Sequence, residues 1–337
     1  MGQQQAPILS DHLHIRKKTS MPPADLAQVI GRIALAGKLI AGEIARASIA
    51  GGLGYSGDTN VHGEEQKKLD DWTNEVFLRL FENCDPVCSL ISEEMESPKH
   101  YERSCHSRDR ASYAVLVDPL DGSSNTDTNG SLGTIFSVRK RAPRHSDDVK
   151  DLLAPGAHQV AAGYVLYGPA TQLIYTSGAG VDMFTFDPQI AEFVLWRENL
   201  KMPQRGPYYS CNQGNITKWH PGAQNLVRHM TSRKDKQSSY SLRYCGAFVA
   251  DFHRCLIDGG MYLYPGEIST DGKSKGKLRL MYECAPLGMV AEQAGGRASN
   301  GKGRILDVVA KDIHDREPVY IGSAMEVAMA EEFRVEG

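Results

Sequence analysis

Tyr113-Ala114-Val115-Leu116-Val117 runs directly into Asp118-Pro119-Leu120-Asp121-Gly122-Ser123-Ser124. The first five residues are apolar or aromatic and predict a buried strand. The chain then changes character within one residue. Asp118 and Asp121 stand three apart, with Pro119 stiffening the backbone between them. Both carboxylates can therefore converge at the strand end and hold one hard cation or two. Gly122 permits a sharp turn. Ser123 and Ser124 can open a helix whose amides and hydroxyls suit a phosphate. Oxygen-only ligands select Mg²⁺ or Mn²⁺ over zinc.

An acidic pair alone is most often a solvated turn. This one has company. Val87 to Ser92 reads as a second buried strand, and Glu93-Glu94 follows it. Asp70 sits on a helix expected from about Glu65 to Asn83, whose apolar face is Leu69, Trp72, Val76, Phe77 and Leu80. Glu283 follows a strand expected over 277–282. In each case a carboxylate stands at or near the end of an element, so a polynuclear metal site accounts for the set better than six unrelated acids.

Further out, Pro22-Pro23 opens a helix that runs to about Ala50, with Leu26, Val29, Ile30, Ile33, Ile40 and Ile44 at helical spacing. Gly51 to Gly63 reads as a loop. Strands are expected near 133–139, 159–167 and 171–177, and a helix near 187–197. Pro203 to Pro207 marks the domain boundary. The expected organisation is a mobile arm (1–20), a domain over 21–202 carrying the metal and catalytic residues, and a second domain over 203–337. In the latter, strands at about 208, 260–264 and 319–322 alternate with helices. Strands and helices in this mixture favour a layered α/β or α+β fold with mixed sheets.

Composition narrows the function. Lys plus Arg is 38 and Asp plus Glu is 41, a net charge of −3. That gives no basic excess for a nucleic-acid partner. Seven cysteines, an odd number thinly spread, read as a reducing compartment. No apolar run reaches the ~18 residues of a membrane span, and no apolar signal core follows Met1. A cytoplasmic protein is expected, with an organellar form as the alternative. Gly52 to Gly57 fits GxGxxG but follows a helix rather than a strand, so it is not a dinucleotide fingerprint.

At Asp118 to Ser124 the sequence resembles the signature of the Mg²⁺-dependent, lithium-sensitive phosphatases. The wider chain resembles class I fructose-1,6-bisphosphatase. The matching stretches are NVHGEEQKKLD (60–70), SEE (92–94), DPLDGSSN (118–125), GTIFSV (133–138), AAGYVLYGPAT (161–171), RYCGAFVADFHR (243–254) and GKLRLMYEC (276–284). The resemblance implies the sugar phosphatase fold, layered α/β/α/β/α, in a homotetramer or homodimer. It implies two or three Mg²⁺ held by Glu93, Asp118, Asp121, Glu283 and the Leu120 carbonyl, with Glu64 near the third ion. Asp70 and Glu94 would orient and deprotonate the attacking water. Gly122, Ser123, Ser124 and Arg279 would hold the leaving phosphate. Asn212, Tyr244 and Tyr264 would hold the far phosphate, helped by Arg243 from a neighbouring subunit. Lys277 would contact the sugar and its phosphates. The second domain, 203–337, would then bind the sugar bisphosphate.

The chain also departs from the family pattern. The N-terminal AMP motif is replaced by Ser20-Met21-Pro22-Pro23-Ala24-Asp25. Ser112 stands where the AMP site has a lysine, and Lys140 where it has an arginine. Insensitivity to AMP is therefore expected. Asn215 replaces a phosphate-contacting tyrosine and Phe248 a methionine near the sugar. With Asp127-Thr128-Asn129 and Ala285-Pro286-Leu287, these lean towards sedoheptulose-1,7-bisphosphatase. Asn125 and Lys67-Lys68-Leu69-Asp70 lean towards the fructose enzyme. Hydrolysis of a sugar bisphosphate at its 1-phosphate is expected, with the fructose ester favoured over the sedoheptulose ester.

Overall fold

A computed structural model describes residues 6–15, 22–59, 65–101, 113–141, 150, 152–232, 240–270, 272 and 274–336. The chain divides into two compact units. One comprises 1–152 and 158–200, the other 153–157 and 201–337.

The first unit contains helices α1 (Leu9–Ile15), α2 (Ala24–Ala50) and α3 (Lys68–Glu82). Its strands are β1 (Tyr55–Thr59), β2 (Glu65–Lys67), β3 (Val87–Ser92), β4 (Lys99–His100), β5 (Tyr113–Asp121), β6 (Leu132–Lys140), β7 (Gln159–Tyr167), β8 (Thr171–Thr176), β9 (Asp182–Asp187) and β10 (Glu192–Arg197). Eight strands form one sheet in the order β10-β9-β8-β7-β6-β5-β3-β4. Among the described residues of this sheet, β3–β5 is the one parallel pair. Successive side chains of a strand point to opposite faces, and one face of this sheet carries Val115, Val117, Phe136, Val138, Val165, Leu173 and Phe184 into a core shared with the helices. Helix α2 contributes Val29, Ile30, Ile33 and Ile40, all fully buried and spaced for one helical face. Each such side chain contributes about 1.5–3 kcal/mol on burial. Helix α3 adds Leu69, Phe77 and Phe81 to the same core.

The second unit contains α4 (Pro221–Thr231), α5 (Phe248–Asp258), α6 (Ala285–Gln293) and α7 (Ala324–Glu332). Its strands are β11 (Tyr208–Ser210), β12 (Ser241–Leu242), β13 (Met261–Tyr264), β14 (Glu267–Ile268), β15 (Ser274–Lys275), β16 (Leu278–Arg279), β17 (Arg297–Ser299), β18 (Arg316–Glu317) and β19 (Val319–Gly322). Five make a mixed sheet in the order β12-β11-β13-β19-β17. Tyr209, Met261, Leu263 and Tyr320 face one way, into a core with Leu226 and Val227 of α4 and Val327 and Ala330 of α7. Tyr262 faces the other way and stacks on Phe248 of α5, ring centroids 4.4 Å apart. Mixed sheets layered with helices bear out the expected fold class.

Several local expectations are corrected. The N-terminal stretch was expected to be a mobile arm, but within it α1 is docked. Leu9 and Leu13 are buried one helical turn apart, and His12 Nε2 lies 3.0 Å from Asp182 Oδ2 among the rings of Tyr175 and Phe184. The loop expected over Gly51 to Gly63 contains β1, and the first residues of the helix expected from Glu65 form its partner β2 instead, with Tyr55 opposite Lys67 and α3 starting at Lys68. The helix expected near 187–197 is instead the antiparallel pair β9–β10, turned through Ala191 at φ 55° with Asp187 opposite Glu192. Its aromatic and β-branched residues suit a half-buried pleat better than a helix. The strand expected over 277–282 stops after Arg279. Leu280–Cys284 then makes a π turn, in which every residue is buried, so the sequence shows no alternation to mark the change.

Candidate active site

The geometry begins with an irregularity in β5. Asp118 pairs opposite Ile135 of β6 and Asp121 opposite Gly133. Three steps along β5 thus match two along β6, which is a β-bulge. In a regular strand, residues three apart face opposite ways. The extra residue restores both aspartates to the same side, and a carboxylate oxygen of each lies within 4.8 Å of the other. Pro119 has no N–H to leave unpaired at the bulge. Its carbonyl accepts a hydrogen bond from Thr134 Oγ1 at 2.8 Å, and Tyr167 Oη lies 2.8 Å from the same hydroxyl. The Leu120 amide donates to Asp118 Oδ1 at 3.1 Å. Asp118, Leu120 and Asp121 are all buried.

Parallel pairing of β3 with β5 sets Ser92 beside Val117, and the Glu93 amide donates to the Val117 carbonyl at 3.0 Å. Glu93 therefore leaves its strand next to Asp118. Glu94 follows, its amide directed at Ser92 Oγ. Asp70 comes from the first turn of α3. Its Oδ2 accepts from the Lys67 amide at 3.1 Å, half of a capping box. Its Oδ1 is buried and has no hydrogen-bond partner among the described residues. Burial raises the Asp70 pKa to about 7, the Lys67 amide holds it down in part, and the charges of Asp71 and Glu93 add to the rise. The Ser123 hydroxyl acts in the opposite direction. Gly122 adopts φ 79°, the left-handed conformation the turn requires, and Ser123–Thr128 follows as a 3₁₀ helix. Asp70, Glu93, Glu94, Asp118, Leu120, Asp121, Gly122, Ser123 and Ser124 thus gather on or near the carboxyl ends of β3 and β5. Glu64 lies outside the described residues.

One contact here escaped the sequence reading. The Lys67 ammonium pairs with Asp127, and it sits 3.9 Å from the Tyr55 ring centroid. The other oxygen of Asp127 accepts from the Gly54 amide at 3.1 Å. This ties the β1–β2 pair and the start of α3 to the 3₁₀ helix that follows the Asp118–Gly122 loop. The signal was the pair of motifs containing Lys67 and Asp127, read only as family markers.

In the second unit, β12, β11 and β13 run parallel, with Tyr208 opposite Ser241 and Ser210 opposite Tyr262. Their carboxyl ends share one edge, the usual place for a ligand on such a sheet. Asn212, Tyr244 and Tyr264 each lie at or just beyond one of those ends. Asn212 caps a 3₁₀ helix through its side chain. Burial pushes the Tyr244 hydroxyl's pKa up, and nearby Tyr264 and Asp251 push the same way. The Arg243 guanidinium is exposed and lies over the Tyr208 ring, 5.4 Å from its centroid. Arg279 is buried, and its amide donates to the Glu283 carboxylate. Lys277 is exposed just before β16.

Among known proteins, residues 11–198 match the family described as "Fructose-1-6-bisphosphatase, N-terminal domain", and residues 202–334 match its "C-terminal domain". The chain belongs to the fructose-1,6-bisphosphatase family. The class 1 fructose-1,6-bisphosphatase of Trichormus variabilis is 47% identical over 311 residues, 92% of this chain and 86% of that protein. That of Nostoc punctiforme is 47% identical over 328 residues, 96% of this chain and 91% of that one. The holo crystal structure of Leishmania major fructose-1,6-bisphosphatase superposes with a TM-score of 0.88 at 38% identity, covering 98% of this chain and 99% of the other. For this member of the fructose-1,6-bisphosphatase family, the resemblance read from the motifs is borne out.

Proposed function

We propose that this chain hydrolyses the 1-phosphate of fructose 1,6-bisphosphate to give fructose 6-phosphate and inorganic phosphate, using Mg²⁺. The observation that carries this reading is the bulge in β5, which turns Asp118 and Asp121 to one side next to Glu93 and the buried, half-partnered Asp70. The relatives' activity supports the choice of substrate. The donors fit a hard divalent ion: all are oxygens, Asp118, Leu120 and Asp121 are buried, and beside them Asp70 keeps a buried oxygen with no hydrogen-bond partner among the described residues.

Glu93, Asp118, Asp121 and the Leu120 carbonyl would hold the ions, with Glu64 and Glu283 completing the set. Bound Mg²⁺ would offset phosphate charge and lower the pKa of water. The chain's own residues do the rest. Asp70 and Glu94 orient the attacking water and take its proton. The amides of Ser123 and Ser124, after the Gly122 turn, bind phosphoryl oxygens, and the Arg279 guanidinium stabilises the charge that builds there. Asn212, Tyr244 and Tyr264 bind the far phosphate, Arg243 reaches a neighbouring subunit's site in a tetramer or dimer, and Lys277 contacts the sugar. The chain is proposed to work in the cytoplasm.

Phosphate release tests the reading directly. Wild type should turn over fructose 1,6-bisphosphate with Mg²⁺ and stop when EDTA is added. Asp121→Ala should lose at least about a hundredfold in kcat, on the scale of removing a core electrostatic element of a site. Retained turnover in that variant sinks the metal assignment. Phe248, stacked on Tyr262 of the ligand-side sheet, is one departure that favours the seven-carbon ester. A higher kcat/KM for sedoheptulose 1,7-bisphosphate would shift the substrate and leave the chemistry intact.

A further inference from the structure

Asp251 lies in the first turn of α5 and only 4% of it is exposed. A carboxylate taken so far from water needs hydrogen-bond donors. It finds them in the loop just before its own helix. The Cys245 amide donates to both carboxylate oxygens, at 3.1 and 3.2 Å, and the Gly246 amide to Oδ2 at 3.2 Å. Two successive N–H groups can converge on one carboxylate only if the chain turns between them. Gly246 supplies that turn at φ 83°, in the left-handed region. Residues 241–246 are exposed. The Arg243 amide donates to the Tyr209 carbonyl at 2.9 Å, and the Asp251 carboxylate then ties the Cys245-Gly246 turn to the start of α5, where Phe248 and Val249 are buried.

The residue these bonds fix in place is Tyr244, with Arg243 one step before it. Asp251 is too deep to be a surface salt-bridge partner, and it does not cap the first-turn amides of α5: its donors, the Cys245 and Gly246 amides, lie before the N-cap Ala247. Resting on the reading above, in which Arg243 and Tyr244 take the far phosphate, we infer that Asp251 is a positioning residue: through the Cys245 and Gly246 amides it sets the loop that aims Tyr244 and Arg243. It acts on the phosphate that is bound and stays, not on the one that leaves. Burial that raises the Asp251 pKa is partly offset by these same amides, which favour the charged form.

The test compares two esters. Fructose 1,6-bisphosphate carries the far phosphate and fructose 1-phosphate lacks it. Asp251→Asn keeps the shape but turns an NH₂ against an amide N–H. It should raise KM for the bisphosphate about tenfold, the scale of one charge-assisted hydrogen bond, with kcat little changed. Its kcat/KM for fructose 1-phosphate should match wild type. Equal losses on both esters, or no change in KM, would overturn the inference. Should the variant not fold, amide exchange in the wild-type chain decides. The Cys245 and Gly246 amides should exchange slowly although their residues are exposed, and fast exchange refutes the loop anchor. Failure of wild type to hydrolyse either ester refutes the proposed function instead and leaves the exchange measurement standing.

Discussion

Asp70 sets stability against chemistry at a single residue. Its proton is held more tightly in the folded chain, at a pKa of about 7, than in the unfolded chain, where an ordinary value is near 3.8. The carboxyl thus stabilises the fold fully only below about pH 4, and that stability is lost as the pH rises towards 7. Above pH 7 the buried charge costs on the order of 4 kcal/mol in metal-free protein. Asp70→Asn removes the charge but leaves one unpartnered amide group, so a net gain of about 2 kcal/mol is expected. Urea unfolding in EDTA should show this gain at pH 8 and none at pH 4, while phosphate release falls at least about a hundredfold. An unchanged midpoint at pH 8 would show that the burial carries no such cost. The sequence did disclose Asp70 and its fellow acids, because each stands at an element end that local periodicity marks. It did not disclose the bulge, because a slip in register depends on the partner strand, and nothing in Pro119-Leu120 alone counts residues on β6.

At the scale of elements, long periodic segments were readable. Helix α2 and strands β3 and β7 fall within a residue or two of expectation because burial repeats cleanly along them. The pair β9–β10 and the π turn before α6 were not readable, since their burial is too irregular or too uniform to carry a period. Asn212, Tyr244 and Tyr264 were nominated by resemblance alone. What unites them is a parallel register among β12, β11 and β13, strands far apart in the chain, and no local pattern reports that. Gly163 of β7 leaves no room for a side chain. A Cβ there would lie 2.3 Å from the Ile174 carbonyl oxygen and 2.6 Å from the Phe136 ring. Gly163→Ala should cost about 1–3 kcal/mol through forced strand separation, read as a lower urea midpoint. An unchanged midpoint would mean the strands part without cost.

For the whole molecule, the missing AMP motif predicts that a large excess of AMP leaves the rate of phosphate release unchanged, and clear inhibition would contradict it. No helix among the described residues is long and apolar enough to cross a membrane. The docked start of the chain has a consequence of a different kind. A large open sheet ends in two rims of unpaired N–H and C=O groups, which are templates for a stranger's strand. One rim here is β4, only two residues long. The other is β10, and Pro7-Ile8 lies along it: Ile8 bridges Val194, and the Leu195 amide donates to the Pro7 carbonyl at 2.9 Å. Pro7-Ile8 thus acts as a selvedge, finishing the fabric so that it does not catch on its neighbours. A chain cut back to residue 22 should keep its sheet yet scatter light and self-associate on standing, and a peptide of residues 6–15 supplied in trans should delay it.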